Sequence, residues 1–232
     1  MIDCFAEGAR EYSADYAIVA IDVIRATTTA LTGVALGRQC YPVSSLKLAH
    51  QLAGMLVNPL LAGELEGDMP EGFEINNSPS ELARRDDPER PMVLLSTSGT
   101  RLICTYGNTR PVYVACLRNY SAQAAYLART HEKVALIGAG SRGEFRAEDA
   151  LCCARLAVCL LKAGYQVQDA RTQATIEQWG EAPLSAIVTG ESARYLRRSG
   201  QESDLDFVLT HIDDLSAVYH FIGGQIIEVE SQ

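Results

Sequence analysis

Four short stretches of this chain each combine at least two of three chemical groups, carboxylates, arginines and hydroxyls. The first is Asp22-Val23-Ile24-Arg25-Ala26-Thr27-Thr28-Thr29: an apolar run ends in a carboxylate, a cation follows, and hydroxyls open what reads as a helix. Ligands of open α/β sheets bind beyond the carboxyl ends of strands, where an Asp can hold Mg2+. Arg25 can make a planar, two-pronged contact with phosphate or sulfonate, and the free N–H groups of a helix start attract anions. Read blandly, the same residues make a capped turn with a surface ion pair.

The second stretch is Gly63-Glu64, followed by Gly72-Phe73-Glu74-Ile75-Asn76-Asn77-Ser78-Pro79. Glu64 is placed to be a second oxygen ligand, and residues 66–71 read as a surface loop. The alternative for Asn76, Asn77 and Ser78 is a turn and a helix cap. The third stretch is Leu95-Ser96-Thr97-Ser98-Gly99-Thr100-Arg101. Hydroxyls, backbone N–H groups and a cation gather there as an oxyanion cradle requires, although a Ser/Thr-capped loop would look similar.

The fourth stretch, Gly138-Ala139-Gly140-Ser141-Arg142-Gly143, formally matches the dinucleotide fingerprint, and NAD binding is one alternative it raises. Glu144, Glu148 and Asp149 then crowd the helix start with negative charge, where a pyrophosphate would sit. Asp169, the candidate ribose ligand, lies 26 residues past Gly143, against about 20 in that motif. The acids suit a cation better, or serve only the helix dipole.

Other phosphate chemistries fit poorly. Ile24 stands where a dehalogenase-type site needs a second Asp, two residues beyond Asp22. Cys4 to Arg10 and Cys104 to Arg110 have Cys-x5-Arg spacing without a Gly-rich helix start. His50, His131, His211 and His220 are isolated from one another in sequence, so a His nucleophile or a His-rich zinc site has no support.

These residues need a frame. Strands are expected over 16–23, 59–63, 92–96, 111–116 and 133–137, with weaker ones near 207–210, 217–221 and 225–229. Helices are expected over 26–36, 45–56, 78–85, 100–106, 121–130, 146–163 and 183–198. The early strands are Val/Ile/Leu-rich with little alternation, as when both faces are covered. Ser78-Pro79-Ser80-Glu81 is a capping box with Pro at the first helical position. The pattern predicts a three-layer α/β/α sandwich with a largely parallel or mixed sheet, one domain over 1–232, and a C-terminal hairpin at one edge.

The composition narrows the partners. Acidic residues outnumber basic ones 29 to 20, for a net charge of −9, and no basic run exists. Neither nucleic acid nor a membrane surface is expected, whereas a small anionic substrate would need Arg gathered locally. The N-terminus does not read as a secretory signal, and no apolar run reaches the roughly 18 residues of a membrane helix. Seven scattered Cys point to free thiols in the cytoplasm, and a homodimer is expected from base rates alone.

In this order and spacing, IDVIRATTT, GE…GFEINNSP, STSGTR and AEDALCCA resemble the 2-phosphosulfolactate phosphatase (ComB-like) family, from the first long strand to the end of the helix at 146. The resemblance implies a Mg2+-dependent α/β phosphatase converting 2-phosphosulfolactate to sulfolactate and phosphate, a step of coenzyme M biosynthesis in methanogens. Its pattern falls on Asp22, Arg25, Thr27, Thr28, Glu64, Asn77, Ser78, Thr97, Gly99, Thr100, Arg101, Glu148 and Asp149. Ser98, Asn76 and Glu74 depart from the family's usual Asn, Gly and Asp, which bears on the substrate's acid end more than on phosphate release. On this reading Asp22, Glu64, Glu148 and Asp149 bind the metal. Asp22, Arg25, Glu64 and Arg101 carry catalysis; Thr27, Thr28, Asn77, Ser78, Ser96, Thr97, Ser98, Gly99, Thr100 and Arg142 contact substrate. A non-catalytic anion-binding protein of the same fold is the other alternative.

Overall fold

The computed structural model describes residues 1–4, 12, 14–107, 110–141 and 143–229. Its strands are β1 (Ile2–Asp3), β2 (Tyr16–Ile21), β3 (Cys40–Val43), β4 (Leu60–Gly63), β5 (Met92–Leu95), β6 (Val112–Ala115), β7 (Lys133–Gly138), β8 (Tyr219–Ile222) and β9 (Gln225–Glu228). The helices are α1 (Ala26–Ala35), α2 (Leu46–Ala53), α3 (Pro79–Leu82), α4 (Gly99–Gly107), α5 (Tyr120–Thr130), α6 (Ala147–Lys162), α7 (Ala170–Trp179), α8 (Ser185–Val188), α9 (Glu191–Arg198) and α10 (Glu202–Thr210).

Period-two side-chain geometry explains the layers. In β2, Ile18 and Ala20 enter one core, with Leu31 of α1 and Leu102 of α4; Ala17, Val19 and Ile21 enter the other, with Leu127 of α5 and Leu156 of α6. The strands β6 and β7 divide in the same way. Both faces are covered, so the strands read as unbroken apolar runs, and the result is a three-layer α/β/α sandwich.

The nine strands form one mixed sheet in the order β1-β7-β2-β6-β8-β9-β3-β5-β4. Two parallel groups, β1-β7-β2-β6 and β3-β5-β4, are joined by the antiparallel β8–β9 hairpin. The hairpin therefore lies inside the sheet, which corrects the expected edge position. Its interior place is legible in the burial of Tyr219, Phe221 and Ile226.

Such a join sets the two groups antiparallel if the sheet is flat. Twist of about 20–25° per strand accumulates over the five steps from β2 to β5 to roughly 100–125°, which turns the end of β5 towards the end of β2. Both α1 and α4 bridge the groups: α1 touches β3, β5, β6 and β9, and α4 touches β2, β3, β6 and β8.

Other expectations shift for local reasons. Residues 207–210, expected as a strand, end α10, where the buried Leu205 and Val208 keep helical spacing. The helix expected over 183–198 breaks into α8 and α9 at Gly190. The strand β3 went unforeseen because Pro42 argues against an interior strand; β9 pairs with β3 only at Cys40. Asp169 caps the unforeseen α7 by accepting from the Thr172 N–H at 2.8 Å. All seven Cys are free, and among the described residues no helix is long and apolar enough to cross a membrane.

The edge beyond β4 is fixed by charge. The segment at Glu74 and Ile75 runs beside β4, with the Glu74 N–H donating to the Leu61 carbonyl at 2.9 Å. Arg90 holds the Glu74 carboxylate and donates to Asp87, which also accepts from Arg85 and from the buried Arg38 at 2.6 Å. Led by the Arg85 hydrogen bond, these guanidiniums hold the Asp87 carboxyl well below the usual carboxylate range.

Two predictions test this frame. Phe221→Ala removes one of the hairpin's buried core side chains and should cost about 3–5 kcal/mol in chemical denaturation; under 1 kcal/mol would show that the hairpin does not clamp the two groups. Asp87→Asn should cost about 2–3 kcal/mol at neutral pH, since Arg38 stays buried. A depressed pKa stabilises fully above about pH 4 and is lost as pH falls through the lower folded value. The gap in Tm between wild type and variant should therefore close towards pH 2; a gap independent of pH would refute the assignment.

Candidate active site

The carboxyl ends of β2, β4, β5 and β7 meet α9 around a cleft of about 280 Å3. Asp22, Arg25, Glu64, Asn77, Thr97 and Ser98 all line it, so three of the four sequence motifs converge in space. The fourth contributes Gly140, Ser141, Glu144 and Arg146. Arg142 lies outside the described residues.

Backbone demands position Asp22. The Thr27 hydroxyl donates to the Asp22 carbonyl at 2.7 Å and accepts from the Asp22 N–H at 3.0 Å. Thr28 donates to the Val23 carbonyl at 2.7 Å. Both threonines are buried and hold the turn that aims the carboxylate. Gly99, opening α4, packs directly on that carboxylate: a Cβ there would stand 2.2 Å from Asp22 Oδ2. Only glycine lets the third motif come this close to the first.

Three acids interact at and behind the cleft mouth: Asp22 lines the cleft, whereas Glu148 and Asp149 are buried behind it and are not part of the lining. Burial pushes the Asp22 carboxyl up to about 7; the Ala26 N–H opposes this, while Glu64 and Glu148 add to it. Glu148, in the first turn of α6, is 1% exposed, and neither of its oxygens has a hydrogen-bond partner. Burial raises its carboxyl as well, with the nearby Ser192 pulling the other way yet satisfying neither oxygen by distance and angle. Asp149 differs: its oxygens accept from the Val23 N–H at 2.8 Å and the Gly140 N–H at 3.1 Å. It ties the end of β2 to the end of β7, and burial, then Asp22 and Glu148, drive its carboxyl well upward.

Among the described residues no three His, Cys, Asp or Glu side chains form a ready-made metal cage. Mg2+ needs less, since it is commonly held by one or two carboxylates, with water and substrate phosphate completing the shell. An orphaned, buried Glu148 acting electrostatically on Asp22 fits that requirement.

Glu64 is engaged differently. Its Oε1 accepts from the Thr97 N–H at 2.7 Å, and its Oε2 accepts from the Thr97 hydroxyl and the Gly67 N–H, both at 2.8 Å. It thereby fastens the third motif to the 64–68 loop. Gly63 sets its place, because a Cβ there would meet the Leu95 carbonyl oxygen at 2.2 Å. Ser96 and Thr100 are buried and cap each other's backbone: the Thr100 N–H donates to Ser96 Oγ at 2.9 Å and the Ser96 N–H to Thr100 Oγ1 at 2.8 Å. Thr97 and Ser98 reach the cleft, whereas Arg101 is exposed in the first turn of α4 and is not part of the lining.

Arg25 lines the cleft but is held from behind. Its Nη1 donates to Asp204 at 2.6 Å and Gln201 at 2.5 Å, and its Nη2 to Asn76 at 3.1 Å. Asp204 Oδ1 also accepts from Ser78 Oγ at 2.7 Å, Ser80 Oγ at 2.6 Å and the Ser80 N–H at 3.1 Å. Ser78 meanwhile caps α3 as its capping box predicts, and Asn77 beside it carries a buried, unpartnered Oδ1 at the cleft.

The remaining alternatives find no support in the geometry. The Gly140 N–H, which a pyrophosphate would need, already serves Asp149. Burial pushes the Cys4 thiol up to about 11 and Cys104 up to about 12, unlike a nucleophilic thiolate. None of the four His lines the cleft.

Sequence reading missed one wall entirely. Glu191, Ser192, Tyr195 and Arg198 of α9 face the cleft, and the Tyr195 hydroxyl donates to the Gly67 carbonyl at 2.5 Å. Asp204 was missed too; it sits in an ordinary polar helix pattern, and only its four hydrogen bonds, from Arg25, Ser78 and Ser80, reveal it. Removing it should leave Arg25 buried and unpaired, so Asp204→Ala is expected to cost about 3–5 kcal/mol. Urea unfolding checks this, and a loss under 1 kcal/mol would refute the hub.

The chain is similar to known proteins over most of its length. The pattern defining the family described as 2-phosphosulpholactate phosphatase matches residues 5–222. A protein of Pseudothermotoga lettingae named probable 2-phosphosulfolactate phosphatase is 31% identical over 223 residues, covering 93% of this chain and 94% of its own. Proteins of the same name from Clostridium perfringens and a Synechococcus species are 29% and 33% identical, covering 92% and 87% of this chain and 89% and 85% of their own. This chain belongs to the 2-phosphosulpholactate phosphatase family, an enzyme family of phosphoric monoester hydrolases.

Proposed function

We propose that the chain is a Mg2+-dependent phosphatase that hydrolyses 2-phosphosulfolactate, or a closely related small phosphorylated acid, to sulfolactate and phosphate. The observation that carries the metal dependence is the orphaned, buried Glu148 carboxylate, which lies behind the cleft lining and acts electrostatically on the cleft residue Asp22. Like charges in a dry site need either protons or a cation. The relatives' names supply the substrate. On this reading 1–232 is a single phosphatase domain, which the one continuous sheet supports.

Asp22 and Glu148 would hold Mg2+, with Asp149 as the residue that positions both loops. Bound there, the ion would neutralise the phosphoryl oxygens and orient the ester for displacement. Arg25, aimed by Asp204, presents positive charge to the same oxygens. Thr97 and Ser98, in the turn before α4, supply polar groups to the phosphate, while Glu64 keeps that turn in place. Asn77 Oδ1 can accept a hydrogen bond from an attacking water or a substrate hydroxyl. The Tyr195–Gly67 bond ties α9 to the loop on the other side of the cleft and limits access by water.

Asp22→Asn and Glu148→Gln should each lower Mg2+-dependent phosphate release more than 100-fold. A second readout needs no turnover: Mg2+ should raise the Tm of wild type but not of either variant. In chelator, Asp22→Asn should be at least as stable as wild type, because it removes one of three crowded charges. Phosphate release that persists unchanged in chelator, or equal Mg2+ shifts in all three proteins, would defeat the metal assignment.

A further inference from the structure

A phosphorylated hydroxy acid carries charge at two ends, and the cleft offers its cations unequally. Arg25 has given Nη1 to Asp204 and Gln201 and Nη2 to Asn76. The other described arginines of the lining are Arg146, at the N-cap of α6, and Arg198, in the last turn of α9. Arg146 uses Nη1 on Glu144 at 3.2 Å and on the Phe145 carbonyl at 3.1 Å. Arg198 makes no hydrogen bond or close ion pair with any described residue, although it faces the cleft.

Both guanidiniums line the cleft and act on one acid. Glu191 is hydrogen-bonded by Arg194, and behind that contact Arg198 and Arg146 both help to hold its carboxyl below the usual range. Ser192, the next residue along, also lines the cleft. The two arginines add cations to a lining that otherwise holds Asp22, Glu64, Glu66, Glu144 and Glu191. Guanidinium is charged at every physiological pH, and its planar fork matches a carboxylate or sulfonate. The same cleft is lined by Arg25, Thr97 and Ser98, so an ester whose phosphate sits at those residues can turn its other acid group to Arg146 and Arg198.

Resting on the phosphatase reading above, we propose that Arg198, with Arg146, forms a second anion subsite for the substrate's carboxylate or sulfonate, selecting phosphate esters that carry a further acid group. Simple monoesters of similar size would lack that anchor.

The test compares 2-phosphosulfolactate with glycerol 2-phosphate, a small branched monoester without a second acid, in wild type, Arg198→Gln and Arg198→Lys. In Arg198→Gln the ratio of kcat/KM between the two esters should fall at least tenfold, mainly through KM, and Arg198→Lys should recover part of it. A ratio changed less than threefold would overturn the subsite. Calorimetric titration of sulfolactate and of inorganic phosphate onto the same proteins gives an answer that needs no turnover. Selective loss of sulfolactate binding in Arg198→Gln upholds the proposal, and equal retention, or no sulfolactate binding in wild type, defeats it. Absence of turnover with intact sulfolactate binding would instead count against the phosphatase reading alone.

Discussion

Crowding of negative charge in a dry place governs this molecule. Asp22, Glu148 and Asp149 are all buried; Glu148 raises the proton affinity of both others, and Asp22 raises that of Asp149. An apolar core would exclude such a cluster, because an unpaired buried carboxylate costs several kcal/mol. Asp149 escapes part of that penalty through two backbone N–H donors, and Asp22 through the weaker Ala26 donor at 3.3 Å. Glu148 has no such relief. The surrounding fold accordingly holds it in place by sequence-local means: it sits in the first turn of α6, where the helix dipole favours an acid.

The architecture then has to bring other groups to that cluster from strands five places apart. Neither parallel group of strands does so alone. The C-terminal hairpin joins them in the middle of the sheet, and accumulated twist turns their carboxyl ends towards one another. Close backbone approach completes the convergence, through Gly63 against β5 and Gly99 against Asp22. The last residues of the chain thus control the geometry of a site built mainly from its first 150, with no hairpin side chain in the cleft lining.

What sequence made visible follows from how far each signal reaches along the chain. Apolar runs covered on both faces, the Ser78 capping box and the acids opening α6 are local patterns, and each appears as read. The motifs near Asp22, Glu64 and Thr97 also meet as expected, but many of their polar residues serve the scaffold. Thr27, Thr28, Ser96 and Thr100 satisfy backbone groups, and Glu64 pins a loop. A hydroxyl looks the same in sequence whether it faces a ligand or caps a turn. The α9 wall and Asp204 carry no local pattern at all, because their meaning lies in partners more than 100 residues away. Pro42 and the apolar end of α10 misled for a different reason: each obeys a propensity that tertiary packing overrides.

Two of the three described arginines lining the cleft are paired with a carboxylate, and the third, Arg198, feels Glu191 only at longer range. With a net charge of −9, the protein repels an anionic ester at long range, although salt confines that repulsion to roughly 8 Å. Inside the cleft, free guanidiniums without counter-ions would bind any phosphate from solution. Pairing Arg25 with Asp204, Arg146 with Glu144, and Arg198 near Glu191 lowers that indiscriminate affinity. A ligand with a single charge must then compete with the resident acid at one position for little return. On the proposed reading, one with charges at both ends would engage Arg25 and Arg198 together, and the second contact would be intramolecular once the first had formed. Discrimination by number of charges needs acids beside the arginines, and the cleft carries both.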